Sequence, residues 1–127
     1  MKQTASTVLM VPPHDFAFNT ETAASNAFQE FSSEPELALD AMREFETMRD
    51  RLIQHQIDVL SLEYRPSLPV PDAVFPNNWF SLYCKDGKRY LHLYPMLTQN
   101  RRRERCPDVL RALLETAGFP IDSVIDA

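Results

Sequence analysis

A stripe of apolar residues stepping by three and four constrains this chain more than any other feature. Ala38, Ala41, Met42, Phe45, Met48 and Leu52 fall on one face of a helix. Ser33 and Glu36 stand ahead of them at capping-box spacing, which predicts that the longest helix opens there and ends near Gln56. Such a helix needs an apolar surface to lie on, and two short runs flank it. TVLM, at Thr7–Met10, is stopped by Pro12 and Pro13 and reads as a buried strand. IDVLSLEY, from Ile57 to Tyr64, alternates in part and reads as another. Thr20 suits the N-cap of a short helix from Glu21 to about Phe31.

Further on, Trp79 to Cys84 and Arg89 to Tyr94 flank KDGK, whose Asp86-Gly87 pair predicts a tight hairpin. Pro107 fits the first turn of a helix running to Ala117, with Gly118 as its stop. Val109, Leu110, Leu113 and Leu114 form its core stripe, and a strand follows at Ser123 to Ile125. The order strand, helices, strand, hairpin, helix, strand predicts an α/β fold with helices over a mixed sheet. A chain of 127 residues suits one small domain. Its ending inside an apolar strand leads us to expect a domain truncated at the C-terminal side.

Composition removes several functions. Ten prolines stand against two glycines, and no Gly-rich phosphate loop exists. A net charge of -5 argues against nucleic acid, because backbone phosphates are met by Lys and Arg clusters. No apolar stretch approaches the roughly 20 residues of a membrane helix, and no signal peptide is evident, so a cytoplasmic location is expected. The two cysteines, Cys84 and Cys106, are too few for a disulfide scaffold. Cys106, beside arginines and a helix start, has a setting that can lower a thiol pKa, but no base stands next to it and a small buried or half-buried thiol is the commoner case. The three histidines, His14, His55 and His92, share no metal-ligand spacing, so neither metal nor cofactor is expected.

The densest polar cluster is PDAVFPNNW, residues 71–79. Asp72, Asn77 and Asn78 there can accept hydrogen bonds from a planar guanidinium or ureido group, and Phe75 can cover its face. The same residue types also make turns by bonding their own backbone.

Three segments decide between these readings. PDAVFPNNWFS, LYPMLTQNRRRER and FNTETAASNAFQ together resemble bacterial citrulline-utilisation hydrolases, relatives of dimethylarginine dimethylaminohydrolases, arginine deiminases and amidinotransferases. The resemblance runs from the first strand to VIDA and implies a five-bladed α/β propeller (pentein) of ββαβ modules, about two of them present here. It implies that Asp72 holds the guanidino or ureido nitrogens and that Phe75 packs against that group. Asn77 and Asn78 replace a pair that carries charge in the relatives, which suits a neutral ureido substrate such as citrulline better than a cationic guanidinium. Arg101 or Arg102 corresponds to the arginine that grips the substrate's α-carboxylate through two hydrogen bonds. Phe16 and Phe18 fall in a loop that covers the site in relatives, and core packing suits either phenylalanine equally well.

Catalysis in these relatives needs a nucleophilic Cys, a His acting as acid and base, and an orienting acid. Neither cysteine of this chain matches the nucleophile's place, so the chain alone is expected to be inactive. The expected function is the substrate-binding N-terminal part of a C–N hydrolase acting on a small amino acid. The alternatives are an amidinotransferase fragment and a non-catalytic amino-acid-binding module. Uncovered strand edges predict association into homo-oligomers.

Overall fold

The computed structural model describes residues 4–19 and 36–126. The short helix expected over 21–31 and the Ser33 half of the capping box lie outside them. Among the described residues the architecture is mixed α/β, with two small sheets and no closed barrel.

Strand β1 (Thr7–Met10) pairs in parallel with β2 (Asp58–Ser61), Val8 opposite Val59 and Leu9 opposite Leu60. Parallel neighbours need a crossover, and α1 (Leu37–Gln54) lies between them in the chain. Strand β2 is shorter than IDVLSLEY suggests, yet Leu62 N–H still donates to the Met10 carbonyl at 2.9 Å.

Helix α1 departs from its expected stripe at one position. Phe45 is buried, whereas Met48 is 57% exposed. Arg49 takes that place: it is half-buried, with its guanidinium 6.0 Å from the Phe45 ring centroid. Steps of three and four are both compatible with a helical face, and a long aliphatic arginine stem can cover apolar surface as methionine does. The helix stops where Gln56 turns left-handed at φ 63°.

Strands β3 (Phe80–Lys85) and β4 (Lys88–Leu93) form the hairpin, and β5 (Ser123–Asp126) lies parallel to β4 at the sheet edge. Asp86 and Gly87 both take positive φ, 53° and 75°, which matches the right-handed twist of the strands they join. Tyr83 and Tyr90 stack across the hairpin at 5.1 Å. Alternation along β4 buries Leu91 and Leu93 and leaves His92 half-buried, stacked on Tyr94 at 4.6 Å.

Two short helices were not anticipated from the sequence. A 3-10 turn forms at Pro76–Asn78 and α2 at Gln99–Arg102. Helix α3 (Pro107–Thr116) then crosses over to β5, starting on Pro107 and ending ahead of Gly118 at φ 92°. Its Leu110 and Leu114 are buried as expected, while Val109, expected in the same stripe, is 39% exposed and does not join the core. Both units share one core: Val11 and Leu62 beside the first sheet, and Trp79, Leu91, Leu93, Cys106, Leu110, Leu114 and Ile121 from the second.

Candidate functional site

The Asp72–Asn78 segment folds as a chain of tight turns. Phe75 N–H donates to the Asp72 carbonyl at 3.0 Å, Asn78 N–H to the Phe75 carbonyl at 3.3 Å, and Trp79 N–H to the Pro76 carbonyl at 3.1 Å. Prolines at 71 and 76 limit the backbone, and buried Trp79 anchors the far end. Turn making, the plainer reading of these residues, is therefore real. It also leaves polar side chains projecting from a fixed backbone.

Arg101, on α2, closes the segment. Its Nη2 donates to the carbonyls of Asp72 (3.3 Å) and Phe75 (3.2 Å), and its Nη1 donates to Asn78 Oδ1 at 2.9 Å. The other edge meets Glu104 in a two-point pair, Nε to Oε2 at 2.8 Å and Nη2 to Oε1 at 3.0 Å. Glu104 is only 4% exposed and lines a small void with Val11, Leu62, Val70, Trp79 and Cys106. Burial among these apolar groups raises its pKa, and the opposing pull of Arg101 is the smaller effect.

Asp72 is held from the opposite side. Asn19 Nδ2 donates to Asp72 Oδ2 at 2.7 Å and to Asn100 Oδ1 at 3.1 Å, while Asn100 Nδ2 returns a bond to Asn19 Oδ1 at 2.7 Å. Asn19, Asp72 and Asn100 are all buried, so these bonds orient the acid where water does not compete. Among the described residues Oδ1 of Asp72 receives no hydrogen bond.

The structure thus brings Asp72, Phe75, Asn78 and Arg101 together. Phe75 is 46% exposed, and Asn77 is exposed without a side-chain hydrogen bond among the described residues. Arg102 points its bonds elsewhere: Nε donates to the Met96 carbonyl and Nη2 to the Leu97 carbonyl, both at 2.9 Å, and the side chain is exposed. Phe16 and Phe18 are half-buried on the loop that leads to Asn19. Nothing in the sequence marked Asn19, Asn100 or Glu104 as partners of Asp72 and Arg101. The one available signal was that all three fall inside segments carrying the family resemblance.

Against a model of the family described as N,N dimethylarginine dimethylhydrolase, eukaryotic, residues 12–127 match. The chain belongs to this family. No curated protein and no solved structure matches it. Membership makes it a hydrolase-like domain of the dimethylarginine dimethylhydrolase, arginine deiminase and amidinotransferase superfamily.

The cysteines behave differently from what the neighbouring arginines suggest. Burial pushes the Cys106 thiol up to about 12, the reverse of the lowering that a cationic helix start can produce. It is therefore a packed core thiol. With a thiol reagent at pH 8, native protein should label quickly at exposed Cys84 and only on unfolding at Cys106, counted by mass spectrometry. The histidines are engaged elsewhere: His14 with Glu63 at 3.4 Å, His55 with the Arg51 carbonyl at 2.7 Å, His92 with Tyr94. Among the described residues no cluster of His, Cys, Asp and Glu could hold a metal ion, and no helix is long and apolar enough to cross a membrane. An apolar groove of about 300 Å³ lies between Leu9, Leu60, Leu82, Leu114 and Phe119. Among the described residues it shares none with the Asp72 cluster and is lined by no charged group that could orient a polar ligand.

Proposed function

We propose that these residues form the substrate-binding part of a guanidino- or ureido-group C–N hydrolase, in a partial five-bladed propeller whose β3–β4–α3–β5 succession is one ββαβ module. The observation that supports it best is the convergence of Asp72, Phe75 and Asn78 around Arg101, in a chain of this family. Asp72 presents Oδ1 to the N–H groups of the substrate's planar end while Asn19 holds Oδ2. A carboxylate in a partly dry setting gains strength as an acceptor. Phe75, exposed on the same turn, covers the face of that plane. Arg102, the exposed arginine of the two, grips the α-carboxylate in exchange for its bonds to the Met96 and Leu97 carbonyls, because the less accessible Arg101 is committed to Glu104 and the turn. Phe16 and Phe18 cover the site from a loop that Asn19 ties to Asp72.

The substrate is a small amino acid with a neutral ureido end, such as citrulline, since two amides stand where relatives carry charge. These residues serve binding, and the cleavage step needs a nucleophile that neither Cys84 nor Cys106 provides. Titration calorimetry with citrulline and arginine tests the site. Asp72→Ala should weaken binding at least about tenfold, the scale of one charge-assisted hydrogen bond lost. Unchanged affinity in that variant would remove Asp72 from the site.

A further inference from the structure

The carboxamide of Asn78 has one acceptor oxygen and one donor NH2 group. A guanidinium carries donors only, so the atom that meets Arg101 Nη1 at 2.9 Å is the oxygen. The amide's orientation is therefore set by chemistry, and its Nδ2 faces away from Arg101. Asn78 is exposed, and Nδ2 has no partner among the described residues.

Arg101 is not free to release that oxygen. Glu104 holds Nε and Nη2 at 2.8 and 3.0 Å, and Nη2 also bonds the carbonyls of Asp72 and Phe75. Glu104 is itself enclosed by core residues, so the pair has little room to swing.

We propose that the Arg101–Glu104 pair sets ligand specificity by holding Asn78 Oδ1 against Arg101 Nη1, which turns the Asn78 NH2 donor outward as the group a ligand meets. The proposal rests on the Asp72 cluster being the substrate's site. Asp72 then takes an N–H from the ligand while Asn78 gives one to it. A ureido group matches, with N–H groups and an acceptor oxygen in one plane. A guanidinium offers donors at every edge, and its N–H groups would oppose those of Asn78. Arg101 and Glu104 touch no ligand here. They are positioning residues, and the selectivity they impose is read at Asn78.

The test is calorimetry with citrulline and arginine on the wild-type chain and on the double variant Arg101→Met/Glu104→Leu, which removes both buried charges together. Wild type should prefer citrulline about tenfold, the worth of one net hydrogen bond. In the double variant the Asn78 amide can flip, and the ratio should fall towards one. An unchanged ratio in a variant with native circular dichroism overturns the proposal and leaves the site standing. Failure of both probes to bind wild type overturns the site itself, and the proposal with it. If the double variant does not fold, NMR of wild-type side-chain amides decides. Saturating citrulline should shift the Asn78 Nδ2 proton signals and arginine should not, and equal shifts or none overturn the proposal.

Discussion

Trp79→Ala is expected to destabilise the chain by about 3–5 kcal/mol, the range for removing a large aromatic from a packed core. Trp79 is 1% exposed and packs with residues beside both sheets, Val11 and Leu62 on one side and Leu91 and Leu93 on the other. Its backbone carbonyl also accepts a bond from Tyr94 N–H at 2.8 Å, which pins the strand entry. Domains are stable by only about 5–15 kcal/mol, so such a loss should bring the variant close to unfolding at room temperature. Urea unfolding followed by circular dichroism measures it as a lower midpoint at unchanged slope. A loss below about 1 kcal/mol would mean that the shared core is not what joins the two sheets. The effect should reach function as well, because Asn78 precedes Trp79 directly.

Glu104→Ala should be nearly as damaging, by about 3 kcal/mol, for an electrostatic reason. The side chain of Arg101 is 14% exposed, and truncating Glu104 leaves its guanidinium partly buried without a counter-charge. The double variant Arg101→Met/Glu104→Leu should recover most of that loss, because an apolar pair of similar volume avoids the desolvation cost. A double variant as unstable as Glu104→Ala would show that the pair contributes through the turn it clamps rather than through charge. The pH dependence follows from the same burial. Burial holds the folded-state pKa of Glu104 above its ordinary value of 4.5, so the native state keeps this proton longer than the unfolded chain does. Its contribution to stability is full below 4.5 and falls as pH rises through the raised value. Subtracting the stability curve of Glu104→Gln from that of wild type should isolate this fall. A difference that instead grew with pH would reverse the sign argued here.

What the residues disclosed in advance follows from how local each signal is. The hairpin was legible because Asp86-Gly87 accepts positive φ, and α3 because Pro107 and Gly118 bracket a regular stripe. Helix α1 was legible in outline, but Met48 and Arg49 both fit a helical face, and which of them is covered is set by the fold rather than by the pattern. The short helix α2 escaped notice because QNRR has no apolar periodicity and is held by bonds to distant segments. At the site, Asp72, Phe75, Asn77 and Asn78 drew attention as a polar cluster, and the arginines as a basic run. Their partners did not. Asn19 and Asn100 are ordinary polar residues in sequence, and only a fold that brings them together makes them a buried clamp on Asp72. At Cys106 the nearby arginines and the ordinary packing of small thiols point in opposite directions, and burial decides for packing.

The most direct test of the central claim is a chemical-shift map of the isotopically labelled chain titrated with citrulline. The expected shifts cluster at Asp72, Phe75, Asn77, Asn78 and Arg102, with smaller ones at Phe16 and Phe18. Shifts confined to the apolar groove around Leu9, Leu82 and Phe119, or absent at saturating citrulline, would contradict a substrate site built on the Asp72 turn.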